Sequence, residues 1–514
     1  MSEIELKFLI DEPTAKAIWA RAKAAGIVSA NPRARTLRSV YLDTPGHALK
    51  GAGIALRLRR DGRRWVQTVK MGRALHGGLS RADELECPAP GGRLRLNAIP
   101  DERMRAEVVS RLNGAIPVPV CETEIRRMAG ELRLDDGTRA ELAVDAGDIR
   151  AEGRSQRLHE AEIELIAGSP AGLFDIARLL FPEGGLRFSR LSKAARGYLL
   201  ASEGVIEPPL APRNALTVPV AADATAELAA RDVLRECLDQ IAANMTAVAG
   251  LDDPEGPHQL RVGLRRLRSA FSVFAPVLRS PASARLKEEA RWLGQAVGKV
   301  RDLDVMATDM ARREAKTHAD EPALAALADA LDARAASART ALRATIAGER
   351  AQAFLLDLAR FVETRGWLVP EEIDQSARLA APVTALAERA LAKCWKKARR
   401  HAETLDTLEP EERHELRKEL KRLRYAVEFL APLYPEKRVG PFLKRLKKLQ
   451  DVFGELNDAE LVQTMFAASS PLADAGPERA QGWLAGAAQA RAEIGWTGAK
   501  ALWRELEGTR RFWK

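Results

Sequence analysis

Strict alternation opens the chain. In Glu3-Ile4-Glu5-Leu6-Lys7-Phe8 an extended strand sends Glu3, Glu5 and Lys7 to one face and Ile4, Leu6 and Phe8 to the other. The pattern recurs: Arg57 and Arg59 oppose Leu56 and Leu58, and Glu160, Glu162 and Glu164 alternate with Ala161, Ile163 and Leu165. Glu141 and Asp145 share a face, and Lys70 stands across from Val69 and Met71. One such strand ordinarily marks the wet face of an open antiparallel sheet. Several strands whose polar faces carry both carboxylates and cations predict a barrel with a charged lumen. Such charges must be solvated, paired, or bound to metal or polyanion.

Residues 1–200 read mainly as short strands separated by turn signals such as Asp43-Thr44-Pro45-Gly46, Asp61-Gly62 and Asp135-Asp136-Gly137. Two helices are predicted to interrupt them, Glu12 to Gly26 and Ser169 to Phe181. Residues 203–222 hold four prolines among few charges and read as a linker. From about Ala224 helical periodicity runs almost to the end. The expected organisation is α+β over 1–202, a linker over 203–222, and all-α over 223–514.

The helical half repeats itself. His258-Gln259-Leu260-Arg261 through Leu264-Arg265-Arg266-Leu267-Arg268 matches His414-Glu415-Leu416-Arg417 through Leu420-Lys421-Arg422-Leu423-Arg424, 156 residues later. The same offset carries Gly298 onto Gly454 and Asp302 onto Asp458 without a gap. Two related helical bundles follow. On a wheel of about 100° per residue, His258, Arg261, Arg265 and Arg268 fall in a stripe of about 80°, opposite Leu260, Leu264 and Leu267. His414, Arg417, Lys421 and Arg424 repeat the stripe. Like charges at these spacings repel, and neither stripe contains acids to relieve them. The stripes are either solvated faces or an anion-binding surface, to which Lys444 and Lys448 add charge. Asp302, Asp304 and Asp458 lack a compact ligand loop and are expected to anchor arginines.

Composition narrows the classes. Lysine plus arginine number 81 against 71 acids, a net charge of +10 that favours anionic partners. Aromatics at 5% argue against a base-stacking nucleic-acid platform. The four scattered cysteines fit a reducing compartment rather than a disulfide or zinc framework. No apolar run reaches membrane-span length and the start lacks a signal peptide, so a cytoplasmic protein with no membrane partner is expected.

The expected lumen offers acids at Glu3, Glu5, Glu141, Asp145, Glu162 and Glu164. Its bases are Lys7, Arg57, Arg59, Lys70, Arg81, Arg126, Lys193 and Arg196. Mutual ion pairing accounts for some of them. A division of labour accounts for more: carboxylates hold hard divalent cations while Arg and Lys clamp phosphates. No phosphate-binding glycine loop or nucleophile elbow is present. Lys70 serves as a catalytic base only where desolvation lowers its pKa.

At these residues the first half resembles the CYTH superfamily, the triphosphate tunnel metalloenzymes, in its inorganic triphosphatase branch. The Glu-x-Glu-x-Lys opening, Tyr41-Leu42-Asp43-Thr44-Pro45, Leu56-Arg57-Leu58-Arg59-Arg60, Trp65 to Lys70 and Ser192-Lys193-Ala194-Ala195-Arg196-Gly197-Tyr198 carry the likeness. The second half resembles a CHAD domain through His258-x-x-Arg261, Arg301-Asp302-x-Asp304 and His414-x-x-Arg417. The resemblance implies an eight-stranded antiparallel tunnel hydrolysing inorganic triphosphate with Mg²⁺ or Mn²⁺. Glu3, Glu5, Asp145, Glu162 and Glu164 would face metal, with Glu3, Glu5 and Lys70 at the reaction. Lys7, Arg57, Arg59, Lys70, Arg126 and Lys193 would grip the triphosphate. It leaves open whether Glu84 or Glu86 points inward. For the helical half it implies paired four-helix bundles binding inorganic polyphosphate, with polyphosphate granules among the expected partners. Two alternatives stand beside it: a weakly catalytic polyphosphate scaffold, and a tunnel acting on thiamine triphosphate, an RNA 5′ end or ATP.

Overall fold

The computed structural model describes residues 2–72, 75–369, 371–470, 472 and 474–513. They form two compact units, Met1–Leu210 with Ala347–Thr364, and Ala211–Ile346 with Arg365–Lys514. The strands of the first unit are β1 (Ser2–Leu9), β2 (Arg33–Asp43), β3 (Ile54–Asp61), β4 (Arg64–Gly72), β5 (Leu79–Pro88), β6 (Val118–Arg133), β7 (Arg139–Ala151) and β8 (Arg154–Ala167). They close into a barrel in the order β1-β5-β4-β3-β2-β6-β7-β8. Every neighbouring pair is antiparallel, so no strand edge is left open. The expected tunnel is what forms.

Helices α1 (Glu12–Ala24), α2 (Ala48–Gly51), α3 (Glu102–Leu112), α4 (Pro170–Leu180) and α5 (Lys193–Glu203) lie outside it. Asp11 caps α1 and Ser169 caps α4, each accepting a backbone N–H of the first turn. The apolar strand faces point outward beneath these helices. Leu56, Leu58 and Val69 pack with Met104 and Val108 of α3, while Cys121, Ile149 and Leu158 pack with Tyr198 and Leu200 of α5. With its apolar phase spent on this outer layer, each strand turns its charged phase inward. Gly197 permits the close approach of α5, since a Cβ there would lie 2.0 Å from Cys121 Sγ.

The second unit contains α6 (Ala226–Gly250), α7 (Glu255–Val273), α8 (Ala275–Leu278), α9 (Pro281–Asp304), α10 (Arg312–Thr317) and α11 (Pro322–Ala347). A π-helical segment, Val305–Ala311, joins α9 to α10. After α12 (Glu349–Glu363) come α13 (Gln375–Ala380), α14 (Val383–Ala402), α15 (Pro410–Leu430), α16 (Glu436–Met465) and α17 (Glu478–Glu507). Helices α14, α15, α16 and α17 begin 157, 155, 155 and 156 residues after α6, α7, α9 and α11. The repeat read from the His-bearing helices therefore extends over all four helices of each bundle. Leu303, Met306 and Leu331 of the first bundle share a core with Val462 and Leu484 of the second.

Helix α12 departs from the sequence expectation. It lies inside the stretch read as the helical half, yet it packs with the barrel unit. Its Gln352 side chain accepts the Leu186 N–H at 2.8 Å, Arg360 pairs with Asp175 of α4 at 2.6 Å, and Arg178 pairs with Asp357.

Candidate functional site

Strand register decides what the lumen contains. Glu141 lies opposite Glu164, and Glu164 opposite Glu5, so three carboxylates stand side by side on β7, β8 and β1. Lys70 lies opposite Glu84, and Thr68 opposite Glu86, on β4 and β5. Arg127 lies opposite Asp145 on β6 and β7. The cavity so lined has a volume of about 830 Å³, and its wall includes Arg57, Arg59, Lys193 and Tyr198.

The charges sort into three groups. The deepest is neutralised. Asp145, fully buried, accepts two bonds from Arg127 at 2.7 and 2.8 Å and pairs with Lys193 at 2.8 Å. Glu162 pairs with Lys7 and Arg127, both at 2.5 Å, and with Lys193 at 2.9 Å. Burial alone would raise both acids, but Lys193 and Arg127 lower Asp145, and Lys193, Lys7 and Arg127 hold Glu162 far below the carboxylate range.

The second group is short of cations. Burial and the charge of Glu5 push Glu3 up to about 8. Burial and Glu5, Glu141, Glu84 and Glu162 raise Glu164. Lys70 stands among them, contacting Glu3 and lying 3.0 Å from Glu5 and 3.1 Å from Glu84, while Lys7 reaches Glu5 at 2.9 Å and Arg57 reaches Glu84 at 3.3 Å from the sides. Like charges directly opposite on neighbouring strands repel, so this cluster is suited to a hard divalent cation with oxygen ligands.

The third group is basic. Arg57 reaches Thr68, Glu84 and Glu86 at 3.2, 3.3 and 3.5 Å. Its Nε and that of Arg59 are buried without a hydrogen-bond partner. Burial and the charge of Arg57 bring Arg59 down to about 10. Two guanidinium groups thus stand side by side in the lumen wall. Beside them Asp43 accepts backbone N–H groups of Thr44, Leu49 and Lys50 and the Tyr198 hydroxyl at 2.6 Å, fixing the wall where α2 and α5 meet it.

In the helical unit His258, Arg261, Arg265 and Arg268 of α7 and His414, Arg417, Lys421 and Arg424 of α15 are all half-buried. Each stripe is thus partly withdrawn from solvent. Arg266 of α7 reaches Glu428 of α15 at 3.4 Å and stacks on Phe429, locking the two helices together. Burial and the charges of Arg265, Arg417, Arg261 and Arg424 push Lys421 down to about 6. Burial, Arg265 and Arg261 bring Arg417 to about 10. The two stripes therefore share one field. Nε atoms of Arg268 and Arg417 are buried without a hydrogen-bond partner, while Arg424 Nε lies 3.5 Å from Glu428. Asp302 anchors Arg261 at 2.6 Å and Asp304 anchors Arg339 at 2.5 Å, as the sequence suggested.

The CYTH domain family matches residues 1–198, and the CHAD domain family matches residues 232–467. The chain joins a CYTH domain to a CHAD domain. An inorganic triphosphatase of Haemophilus influenzae is 29% identical over 172 residues, 32% of this chain and 46% of that protein, so the match spans less than half of that relative. An uncharacterized protein of Mycobacterium tuberculosis is 28% identical over 453 residues, covering 82% of this chain and 81% of its own. The crystal structure of the CHAD domain from Ricinus communis matches with a TM-score of 0.49 at 27% identity, covering 58% of this chain and 98% of its own.

Within the CYTH domain the expected metal set divides. Glu3 and Glu164, both raised by burial and neighbouring acids, stand with Glu141 in the cation-poor cluster; Glu5 borders it but pairs with Lys7 and Lys70, Lys70 and Arg57 lower Glu84, and Asp145 and Glu162 belong to the neutralised group. Asp145, Glu160 and Glu162 do bring carboxylate oxygens within 4.8 Å of one another. Their oxygens are already occupied, Glu160 by Lys193 at 2.6 Å and Ser189 at 2.8 Å, so a cation there would first have to displace ammonium and guanidinium. Glu84 and Glu86 both line the lumen. Lys7, Arg57, Arg59, Lys70 and Lys193 line it as expected.

Three expected clamp residues stand elsewhere. Arg126 is exposed on the outer face, and its neighbour Arg127 is the inward residue. The doublet leaves the strand phase open, and only the register with Asp145 decides it. Arg81 lies out of phase with Ser80 and Glu84 and donates to the Glu363 carbonyl at 3.3 Å. Arg196 is fully buried behind the wall, bound to Ser189 at 2.9 Å, the Ile206 carbonyl and Glu207. Lys70 does not meet the condition for a base. Burial favours its neutral form, but Glu5, Glu84 and Glu3 outweigh that and raise its pKa. In the CHAD domain Lys444 and Lys448 are exposed on α16.

Proposed function

We propose that the CYTH tunnel hydrolyses inorganic triphosphate with a divalent metal, Mg²⁺ or Mn²⁺, and that the CHAD domain binds inorganic polyphosphate. The carrying observation is a charge balance. The lumen is lined by eight carboxylates and eight cations, so it is formally neutral. A triphosphate brought into that space needs positive charge the lining does not supply, and divalent cations at Glu3, Glu5, Glu84 and Glu164 would supply it. Bound there, the metal would draw charge from the phosphoryl oxygens and acidify a coordinated water.

The chain's own residues do the positioning. Arg57 and Arg59, which line the lumen, would present guanidinium groups to non-bridging oxygens, and Lys70 an ammonium between the acids and the substrate. The paired block of Lys7, Arg127, Lys193, Asp145 and Glu162 serves as a rigid polar wall, because each charge is fixed by at least one opposite partner. The name of the Haemophilus relative supports the substrate. The six half-buried Arg and Lys side chains of the CHAD stripes, with His258 and His414 beside them, support a linear polyphosphate, in a cytoplasmic setting with access to polyphosphate granules.

The test is phosphate release by the full chain from tripolyphosphate, thiamine triphosphate, ATP and RNA 5′-triphosphate, each with Mg²⁺, Mn²⁺ or chelator. Metal-dependent release greatest on tripolyphosphate is expected, abolished by Glu5→Gln while polyphosphate binding persists. Release unaffected by chelator and by Glu5→Gln would overturn the tunnel assignment. Undiminished polyphosphate retention by Arg265→Glu/Arg417→Glu would overturn the CHAD assignment.

A further inference from the structure

A second cavity lies wholly within the helical unit. It has a volume of about 720 Å³ and opens where the C-terminal half of α7 meets α8, α9, α14 and α15. None of the eight stripe residues lines it. Its wall carries seven cations and two acids, and both acids are already used, Glu372 by Arg378 and Glu419 by Arg422. Five cations remain: Arg279, Lys287, Arg389, Lys393 and Lys397. Among the described residues none of the five has a carboxylate partner.

Their placement is ordered. Arg389, Lys393 and Lys397 occupy successive turns of α14, at i, i+4 and i+8, and so project from one side of that helix. Lys287 comes from α9, half-buried, with its Nζ 3.3 Å from the Ser272 hydroxyl of α7. Burial and the charges of Arg422, Arg268 and Arg291 lower its pKa, so this corner already holds more positive charge than water or acids relieve. Val273, Pro276 and Leu386 close the remaining wall, and no aromatic ring is there to stack a base.

We propose that this cavity is a separate binding site for a compact oligophosphate, an anion of a few linked phosphates, distinct from the paired stripes. Lys287, half-buried, and the exposed Arg279, Arg389, Lys393 and Lys397 ring one open-mouthed cavity and match a short, multiply charged anion, whereas a long polymer requires an extended track. The hydroxyls of Ser269 and Ser272 add neutral donors at the α7 side. The proposal does not depend on the tunnel's catalysis or on polymer binding by the stripes.

Cys394 supplies a local reporter. It lines the cavity and is half-exposed, whereas Cys87, Cys121 and Cys237 are buried. The experiment is alkylation of Cys394 in the full chain, followed by mass spectrometry, with tripolyphosphate or inorganic phosphate added in chelator. Tripolyphosphate should slow alkylation, and inorganic phosphate at equal ionic strength should not. In Lys287→Gln/Lys393→Gln/Lys397→Gln the concentration giving half-protection should rise about tenfold or more. In Arg265→Gln/Lys421→Gln it should be unchanged. Lys393 and Lys397 are exposed helix positions, so the Lys393→Gln/Lys397→Gln pair serves where the triple variant fails to fold. Absent protection in the wild type, or protection lost equally in the stripe variant, would overturn a separate site.

Discussion

On the proposed function, Lys421 would make polyphosphate binding a proton-taking event. It stands half-buried among Arg265, Arg417, Arg261 and Arg424, with Asp458 the acid that its field reaches, and its pKa falls to about 6. At pH 7.5 roughly 3% of such a lysine is protonated in the free protein. A polyphosphate seated between the stripes reverses the sign of the local field and restores the lysine toward its ordinary value of about 10.4. Binding at pH 7.5 should therefore take up about one proton per site. The direction is fixed: above pH 6 the free form loses the proton that the bound form keeps, so affinity should fall by up to about tenfold per pH unit from this group. Titration calorimetry of the full chain with polyphosphate, in buffers of different ionisation enthalpy, reads the uptake as a slope. Lys421→Arg should bind with the slope abolished, since guanidinium stays charged throughout. No buffer dependence in the wild type, or the same uptake in Lys421→Arg, would refute the reasoning.

Other perturbations separate neighbouring residues. Arg127→Ala removes two of the bonds to Asp145 and one to Glu162, leaving buried carboxylates under-compensated, and should cost the barrel about 3–5 kcal/mol in urea unfolding. Arg126→Ala, one residue away and exposed, should stay within about 0.5 kcal/mol. Asp43→Ala strands backbone N–H groups of Thr44, Leu49 and Lys50, so a loss of at least about 2 kcal/mol is expected by the same measurement. Because Glu3 holds its proton up to about pH 8 in the folded protein, metal-free stability should decline as pH rises from about 4.5 to 8. Mg²⁺ or Mn²⁺ should cancel that decline, so the metal-induced rise in Tm should be larger at pH 8 than at pH 6; equal rises would contradict the cluster's role.

The barrel was legible because its two phases differ so sharply. Charges alternate with Ile, Leu, Phe and Ala at Glu3 to Phe8, Leu56 to Arg59 and Glu160 to Leu165, and the charged residues there line the lumen except Glu160, which is buried against Lys193 and Ser189. Phase failed where the pattern is locally degenerate. The Arg126-Arg127 doublet fits either face, and Arg81 sits in a strand whose acids alternate on both faces. Arg196 was drawn inward by the motif around Lys193, but helix periodicity carries it three residues round α5, behind the wall. What alternation cannot report is which charges cancel. That requires register, and register separates the saturated Asp145 and Glu162 from the crowded Glu3 and Glu164. The helical repeat was read from its polar signature, yet the structure extends it to α11 and α17, where sequence likeness has faded but helix position has not.

Helix α12 alters what the proline-rich linker means. Since Ala347–Thr364 folds with the barrel, the chain passes between the two units at three points, after residues 210, 346 and 364. A protease nick anywhere in 203–222 would leave two pieces still held by Gln352, Asp357 and Arg360, co-migrating until denatured. An amino-terminal fragment ending at residue 210 would lack the acceptor for Leu186 and expose the α4 face. The barrel unit is thus finished by a segment synthesised well over a hundred residues after its last strand, so a nascent barrel must wait for the first helical bundle to emerge before it is complete.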